Sequence, residues 1–149
     1  VIKLANHPNI IGIKEAVDDL KRLAELLLIS HKISDQKNFS VLSGDDPTFN
    51  SFMANGGNGV ISVAANIIPQ HIAKICSLNL SKQFNEAEKL DLNFKNLYEL
   101  LFVESNPMPV KWMLHKMGKI DSGIRLPLVS FNSAYHEQSL EEMLKLKLI

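Results

Sequence analysis

The sequence predicts an α/β unit of parallel strands over residues 1–82, followed by an all-helical region over residues 83–149. Three short apolar runs rich in β-branched residues carry that prediction: Ile10–Lys14, Phe39–Ser43 and Gly59–Val63. Each passes through a polar cluster into a segment whose apolar residues recur at helical spacings. Strand and helix in alternation imply parallel strands joined by right-handed crossovers. From Asn85 onward the alternation stops and only the helical period remains.

Taken in order, Val1–Ala5 reads as the end of a helix. The chain opens there without a methionine and is expected to be the back part of something longer. Asn6-His7-Pro8-Asn9 breaks that helix and leads into the first strand. Along this strand Ile10, Gly12 and Lys14 are expected on one face and Ile11 and Ile13 on the other, with Gly12 leaving open space beside Lys14. A helix follows with Leu20, Leu23, Ala24, Leu27 and Leu28 on one stripe, capped by Asp18 or Asp19, and a polar loop at Ser34–Asn38 closes the unit. After the second strand comes Gly44-Asp45-Asp46-Pro47, in which Pro47 suits the first helical position and Asp45 or Asp46 the cap. That helix, Thr48–Asn55, is expected to close on Gly56-Gly57. The third strand runs into Ala64-Ala65-Asn66, and a helix over Pro69–Ser81 completes the repeat.

In the second region Ala87, Leu90, Leu92, Phe94, Leu97, Leu101 and Phe102 predict one long amphipathic helix. Glu104–Pro109 is a stiff turn, Val110–Leu114 begins a helix ended by Gly118, and Ile124–Leu128 is an extended connector. Ser139-Leu140-Glu141-Glu142 is a capping-box pattern for a last helix. The Met and Trp residues here are expected in the core.

Composition narrows the function. The 149 residues suffice for one domain but fall short of the about 250 residues of a typical barrel. Sixteen basic and sixteen acidic residues cancel without a basic run, so neither nucleic acid nor an anionic membrane is expected as partner. No apolar stretch approaches the roughly 18 residues needed to span a bilayer. Cys76 is the only cysteine, which excludes an internal disulfide and a thiolate cluster, fits a reducing cytoplasm, and points to a packing role. The five histidines are dispersed, so no metal is expected.

The chemistry is expected at Lys14. An ammonium is costly to bury, and a buried lysine is driven toward the neutral amine that a Schiff-base nucleophile requires. The ordinary alternative is a lysine marking the solvated end of a strand. Reactive groups in parallel α/β folds gather at the carboxyl ends of strands, where Lys14, Gly44-Asp45 and Ile61-Ser62 all fall, and that coincidence sets the catalytic reading level with the ordinary one.

Five motifs in this order and spacing make the pattern specific: Ile11-Gly12-Ile13-Lys14-Glu15-Ala16; Leu42-Ser43-Gly44-Asp45-Asp46; Gly59–Val63 with Asn66; Asn106-Pro107-Met108-Pro109-Val110-Lys111-Trp112; and Arg125-Leu126-Pro127-Leu128. Together they closely resemble the C-terminal half of the dihydrodipicolinate synthase family, also called 4-hydroxy-tetrahydrodipicolinate synthases. The resemblance runs through the whole chain. It implies strands six to eight of a (β/α)8 TIM barrel followed by a helical C-terminal domain. It implies a cytoplasmic, homotetrameric lyase of lysine biosynthesis that condenses pyruvate with aspartate semialdehyde and needs no cofactor. Lys14 falls on the family's Schiff-base lysine, Gly44 and Asp45 on substrate-binding positions near the active-site entrance, and Ile61 on a residue whose backbone carbonyl helps form the pyruvate site.

The departures are modest: Val17 and Asp18 stand where the family usually carries Thr-Gly, Ala64 for a threonine and Ser105 for a proline. The family's threonine and tyrosine proton relay, its aldehyde-binding arginine and most of its allosteric lysine site are implied to lie in an N-terminal half outside this sequence. The chain alone is therefore expected to be inactive or very weak. Two alternatives stand beside this reading: a related pyruvate-dependent aldolase such as N-acetylneuraminate lyase, and a non-catalytic half-barrel assembly piece. Glu15-Ala16 and Ser43–Asp46 look more like the synthase.

Overall fold

The computed structural model describes residues 1–17, 19–33 and 38–149. A short helix α1 (Ile2–Ala5) precedes three strands, β1 (Gly12–Glu15), β2 (Ser40–Ser43) and β3 (Gly59–Val60), which form a parallel sheet in the order β1-β2-β3. Gly12 stands opposite Ser40, Lys14 opposite Leu42, and Ser43 opposite Val60. Helix α2 (Leu20–Ile33) joins the first two strands, α3 (Phe49–Ala54) the second and third, and α4 (Pro69–Leu80) follows a 3₁₀ turn at Ala64–Asn66. The alternation expected from the sequence is present.

The buried stripe of α2 is offset from the expected one, since Leu20, Ala24 and Leu28 are exposed. Leu23, Leu26 and Ile33 are buried with Phe39, Val41 and Phe52, and Ile13 packs against them, so one face of the sheet is covered by helix. Asp19 supplies the cap, its Oδ1 accepting from the Lys21 amide at 2.8 Å. The alternative cap Asp18 and the loop residues 34–37 lie outside the described residues. The opposite face, carrying Gly12, Lys14, Ser40 and Leu42, has no layer over it among the described residues and lines an open groove.

Helix α3 ends where the glycines predict. Gly56 takes φ +106°, its amide donates to Met53 O, and the Gly57 amide donates to Phe52 O, so the last carbonyls are satisfied by a left-handed turn that glycine makes without Cβ strain. Its start differs from expectation. Pro47 is not the first helical residue, and Thr48 precedes the helix without a side-chain cap bond. Asp45 Oδ2 accepts from the Thr48 hydroxyl at 2.6 Å, while Asp46 turns away to the amides of Val63 and Ala64 at 3.0 and 2.8 Å. Those two bonds also explain why the third strand is shorter than the predicted Gly59–Val63: amides that would extend a ladder are used to form the 3₁₀ turn.

The remaining helices are α5 (Phe84–Asp91), α6 (Lys95–Leu101), α7 (Met108–Lys116) and α8 (His136–Lys145). The single long helix expected across α5 and α6 is interrupted by a 3₁₀ turn at Leu92–Phe94. There the Asn93 side-chain amide donates to the carbonyls of Lys89 and Leu90, competing with the regular backbone pattern. The capping box at Ser139 is also corrected. Ser139 is buried inside α8, and the chain turns earlier, at Asn132, whose Oδ1 accepts from the Ala134 amide at 3.0 Å. Gly118, at φ +68°, ends α7 as expected.

A second core joins Phe49 and Met53 of α3 and the buried side of α4 to Leu97, Tyr98, Leu101, Met113 and Met143. Tyr98 is fully buried, meets Phe49 edge-on at 6.3 Å, and donates its hydroxyl to Asp91 Oδ1 at 3.0 Å. Asp91 Oδ2 pairs with Lys95 Nζ at 2.8 Å, and the same ammonium donates to the Pro47 carbonyl at 3.0 Å, tying α6 to the loop after β2. Burial, then the Asp91 charge, push the Tyr98 phenol far above its ordinary pKa of 10.0, so the fold favours the neutral form. A raised folded-state pKa contributes stability that is intact below the unfolded value and lost above it. Thermal melts from pH 9 upward are therefore expected to show stability falling beyond about pH 10, with the fall reduced in Tyr98→Phe.

Candidate active site

Lys14, Gly44-Asp45 and Ile61 come together at the carboxyl edge of the sheet, one from each strand end. The ladder continues through them, because the Gly44 amide donates to Glu15 O and the Ile61 amide to Ser43 O, both at 2.8 Å. Alternation along β1 sends Lys14 to the open face and Glu15 to the helical one. Glu15 is accordingly occupied: its Oε2 accepts from Arg22 Nε at 3.0 Å, and this contact raises the guanidinium pKa. The acid next to Lys14 in sequence is thus not its partner, and among the described residues Lys14 forms no ion pair.

The lysine arm lies across Gly44. A Cβ added at Gly44 would overlap Lys14 Cε and stand 3.2 Å from Lys14 Cγ and 3.0 Å from the Ala16 methyl. The bare backbone of residue 44 is what lets the amine reach past the end of β2. On the Schiff-base role that the family resemblance implies for Lys14, Gly44→Ala is expected to displace this flexible arm at small cost to stability and to slow adduct formation in the full-length protein about tenfold. Comparing melting temperature with the rate of adduct trapping checks it; a normal rate removes this role for Gly44.

Two expectations about Lys14 are corrected. Gly12 does not open space beside it: a Cβ there would stand 2.6 Å from the Ser40 carbonyl oxygen, so the glycine permits close approach of β1 and β2. Nor do these residues enclose the amine. Lys14 is exposed because β1 is an edge strand and its face of the sheet is bare.

Asp45 spends its carboxylate on Thr48 and its main-chain amide on Ser43 Oγ, at 3.2 Å. Ile61 is 51 % exposed, its side chain left on the open side. Asp46 is the residue that sequence reasoning assigned only to a cap. It is 1 % exposed, and its Oδ1 has no hydrogen-bond partner among the described residues. Desolvation raises its pKa, offset in part by the Ser62 hydroxyl and the Ala64 and Val63 amides. No spacing signal distinguishes it from Asp45. Cys76 packs half-buried against the second core, where burial pushes its thiol up, in line with a packing role. Among the described residues no group of three or more His, Cys, Asp or Glu side chains is placed to hold a metal, and no helix is long and apolar enough to cross a membrane.

A sequence profile of the dihydrodipicolinate synthetase family matches residues 1–147. The chain belongs to this family. It is 44 % identical over 144 residues to the 4-hydroxy-tetrahydrodipicolinate synthase of Teredinibacter turnerae, covering 97 % of this chain and 48 % of that protein. The dihydrodipicolinate synthase of Acinetobacter baumannii, solved with pyruvate, superposes with a TM-score of 0.89 at 40 % identity, covering 99 % of this chain and 49 % of the other. The synthase of Thermotoga maritima superposes with a TM-score of 0.91 at 30 % identity, covering 99 % and 50 %. The chain thus has the dihydrodipicolinate synthase-like α/β fold and spans about half the length of the relatives it matches.

Proposed function

We propose that this chain carries the Schiff-base lysine of a pyruvate-dependent lyase of lysine biosynthesis, condensing pyruvate with aspartate semialdehyde. The observation that carries the reading is the placement of Lys14 across Gly44 at the carboxyl ends of parallel strands, within a chain matched to the family over nearly its whole length. Lys14 Nζ attacks the ketone carbon of pyruvate, and loss of water leaves an imine. Its protonated nitrogen withdraws electrons, a methyl proton departs, and the resulting enamine carbon adds to the aldehyde. The substrate's own amine then displaces Lys14 Nζ as the ring closes. No cofactor enters, because the imine is the electron sink. Gly44 gives the arm room, Asp45 faces the entrance, and the Ile61 carbonyl orients the keto acid.

The reading includes an assignment of β1, β2 and β3 to strands six to eight of a (β/α)8 barrel, with a barrel part over residues 1–82 and a helical part over 83–149. The bare face and open edge of the sheet support it, since parallel strands are normally covered on both faces. It extends to a cytoplasmic homotetramer, for which exposed Leu80, Leu92, Leu126 and Val129 offer contact surface. The test is pyruvate with borohydride on the full-length protein, followed by peptide mass mapping. Labelling at Lys14 is expected there, and little on the isolated 149 residues. Exposure of Lys14 favours one second reading, a non-catalytic assembly piece; in full-length Lys14→Ala an enzyme loses turnover, whereas a scaffold keeps its assembly unchanged.

A further inference from the structure

We propose that Asp46 is a positioning residue for the reaction, clamping the loop after β2 to the loop after β3 so that the Ile61 carbonyl is held in register with Lys14. The inference rests on the reading of Lys14 and Ile61 given above. The clamp is direct: one oxygen, Oδ2, accepts from the amides of Val63 and Ala64 at 3.0 and 2.8 Å, two and three residues beyond Ile61. Asp46 itself stands two residues beyond Gly44, the residue on which the lysine arm rests. Its backbone and side chain therefore connect the two strand ends that the proposed chemistry uses. The loop is held from the other side by Lys95 Nζ on the Pro47 carbonyl.

Stability alone does not account for an ionisable group here. The carboxyl is 1 % exposed, Oδ1 has no hydrogen-bond partner among the described residues, and Asp45 adds like charge that the Ser62 hydroxyl and the two amides offset only in part. A carboxyl whose pKa is raised in the fold has its favourable contribution at low pH and loses it as pH rises, so ionising the group weighs against folding. An asparagine would keep one oxygen for both amides and remove that charge.

Steady-state kinetics and borohydride trapping on the full-length protein test the idea with three variants. Asp46→Ala is expected to raise KM for pyruvate and slow trapping, each about tenfold, by letting the Ile61 carbonyl drift. Asp46→Asn is expected to stay near wild type in both and to melt at or above the wild-type temperature. Asp46→Glu keeps charge and acceptor on a longer arm, is expected to raise KM, and decides the matter if the alanine variant does not fold. An unchanged KM in the folded variants, with only melting temperature affected, overturns the positioning role while leaving Lys14 labelling intact. Absence of the wild-type adduct at Lys14 overturns the functional reading and this inference together.

Discussion

Lys14→Arg in the full-length protein is expected to abolish the borohydride-trapped pyruvate adduct and to lower turnover by roughly four orders of magnitude, the scale for loss of a covalent nucleophile. Arginine retains the charge and much of the reach, but its guanidinium stays protonated and offers no lone pair to a carbonyl. Folding is expected to be unaffected, because Lys14 is exposed and unpaired among the described residues. Peptide mapping after reduction, beside a melting curve, separates the two effects. Turnover within tenfold of wild type would remove Lys14 from the chemistry.

The largest expected loss of stability is in Phe49→Ala, about 3–5 kcal/mol for an aromatic removed from a closed core. Phe49 is fully buried and meets Tyr98 edge-on, so truncation leaves a void where α3 touches α6. The adjoining Phe52 faces the other core, under the sheet. Chemical denaturation measures the loss; a change below about 1 kcal/mol would mean the site collapses around the missing ring.

The alternation of strands and helices was legible because β-branched runs and helical stripes differ in period, although the stripe of α2 was misplaced: Leu26 is buried, while Leu20 and Leu28 are exposed. The strand-end positions of Lys14, Gly44 and Ile61 followed from the same pattern. Four things were hidden. The break between α5 and α6 depends on Asn93 choosing backbone carbonyls over solvent, which hydropathy does not encode. The capping box at Ser139 was a false signal because Asn132 opens the turn upstream. The role of Asp46 needs a contact across 17 positions of chain to Val63, and two adjacent aspartates look alike until one is buried. Trp112 had been placed in the core by spacing, yet it is only partly buried and stacks on His136 at 4.4 Å, a pairing across 24 positions.

The ammonium of Lys95, which bonds both Asp91 and the Pro47 carbonyl, has a consequence for how such chains diverge. Cutting the polypeptide after residue 82 would strip Phe49 and Met53 of the cover that Tyr98 and its neighbours give and free the turn after β2. On the proposed reading the helical segment serves as scaffolding for the site around Lys14, and recombination at that seam is expected to yield inactive chimeras even when every residue proposed to meet substrate is preserved.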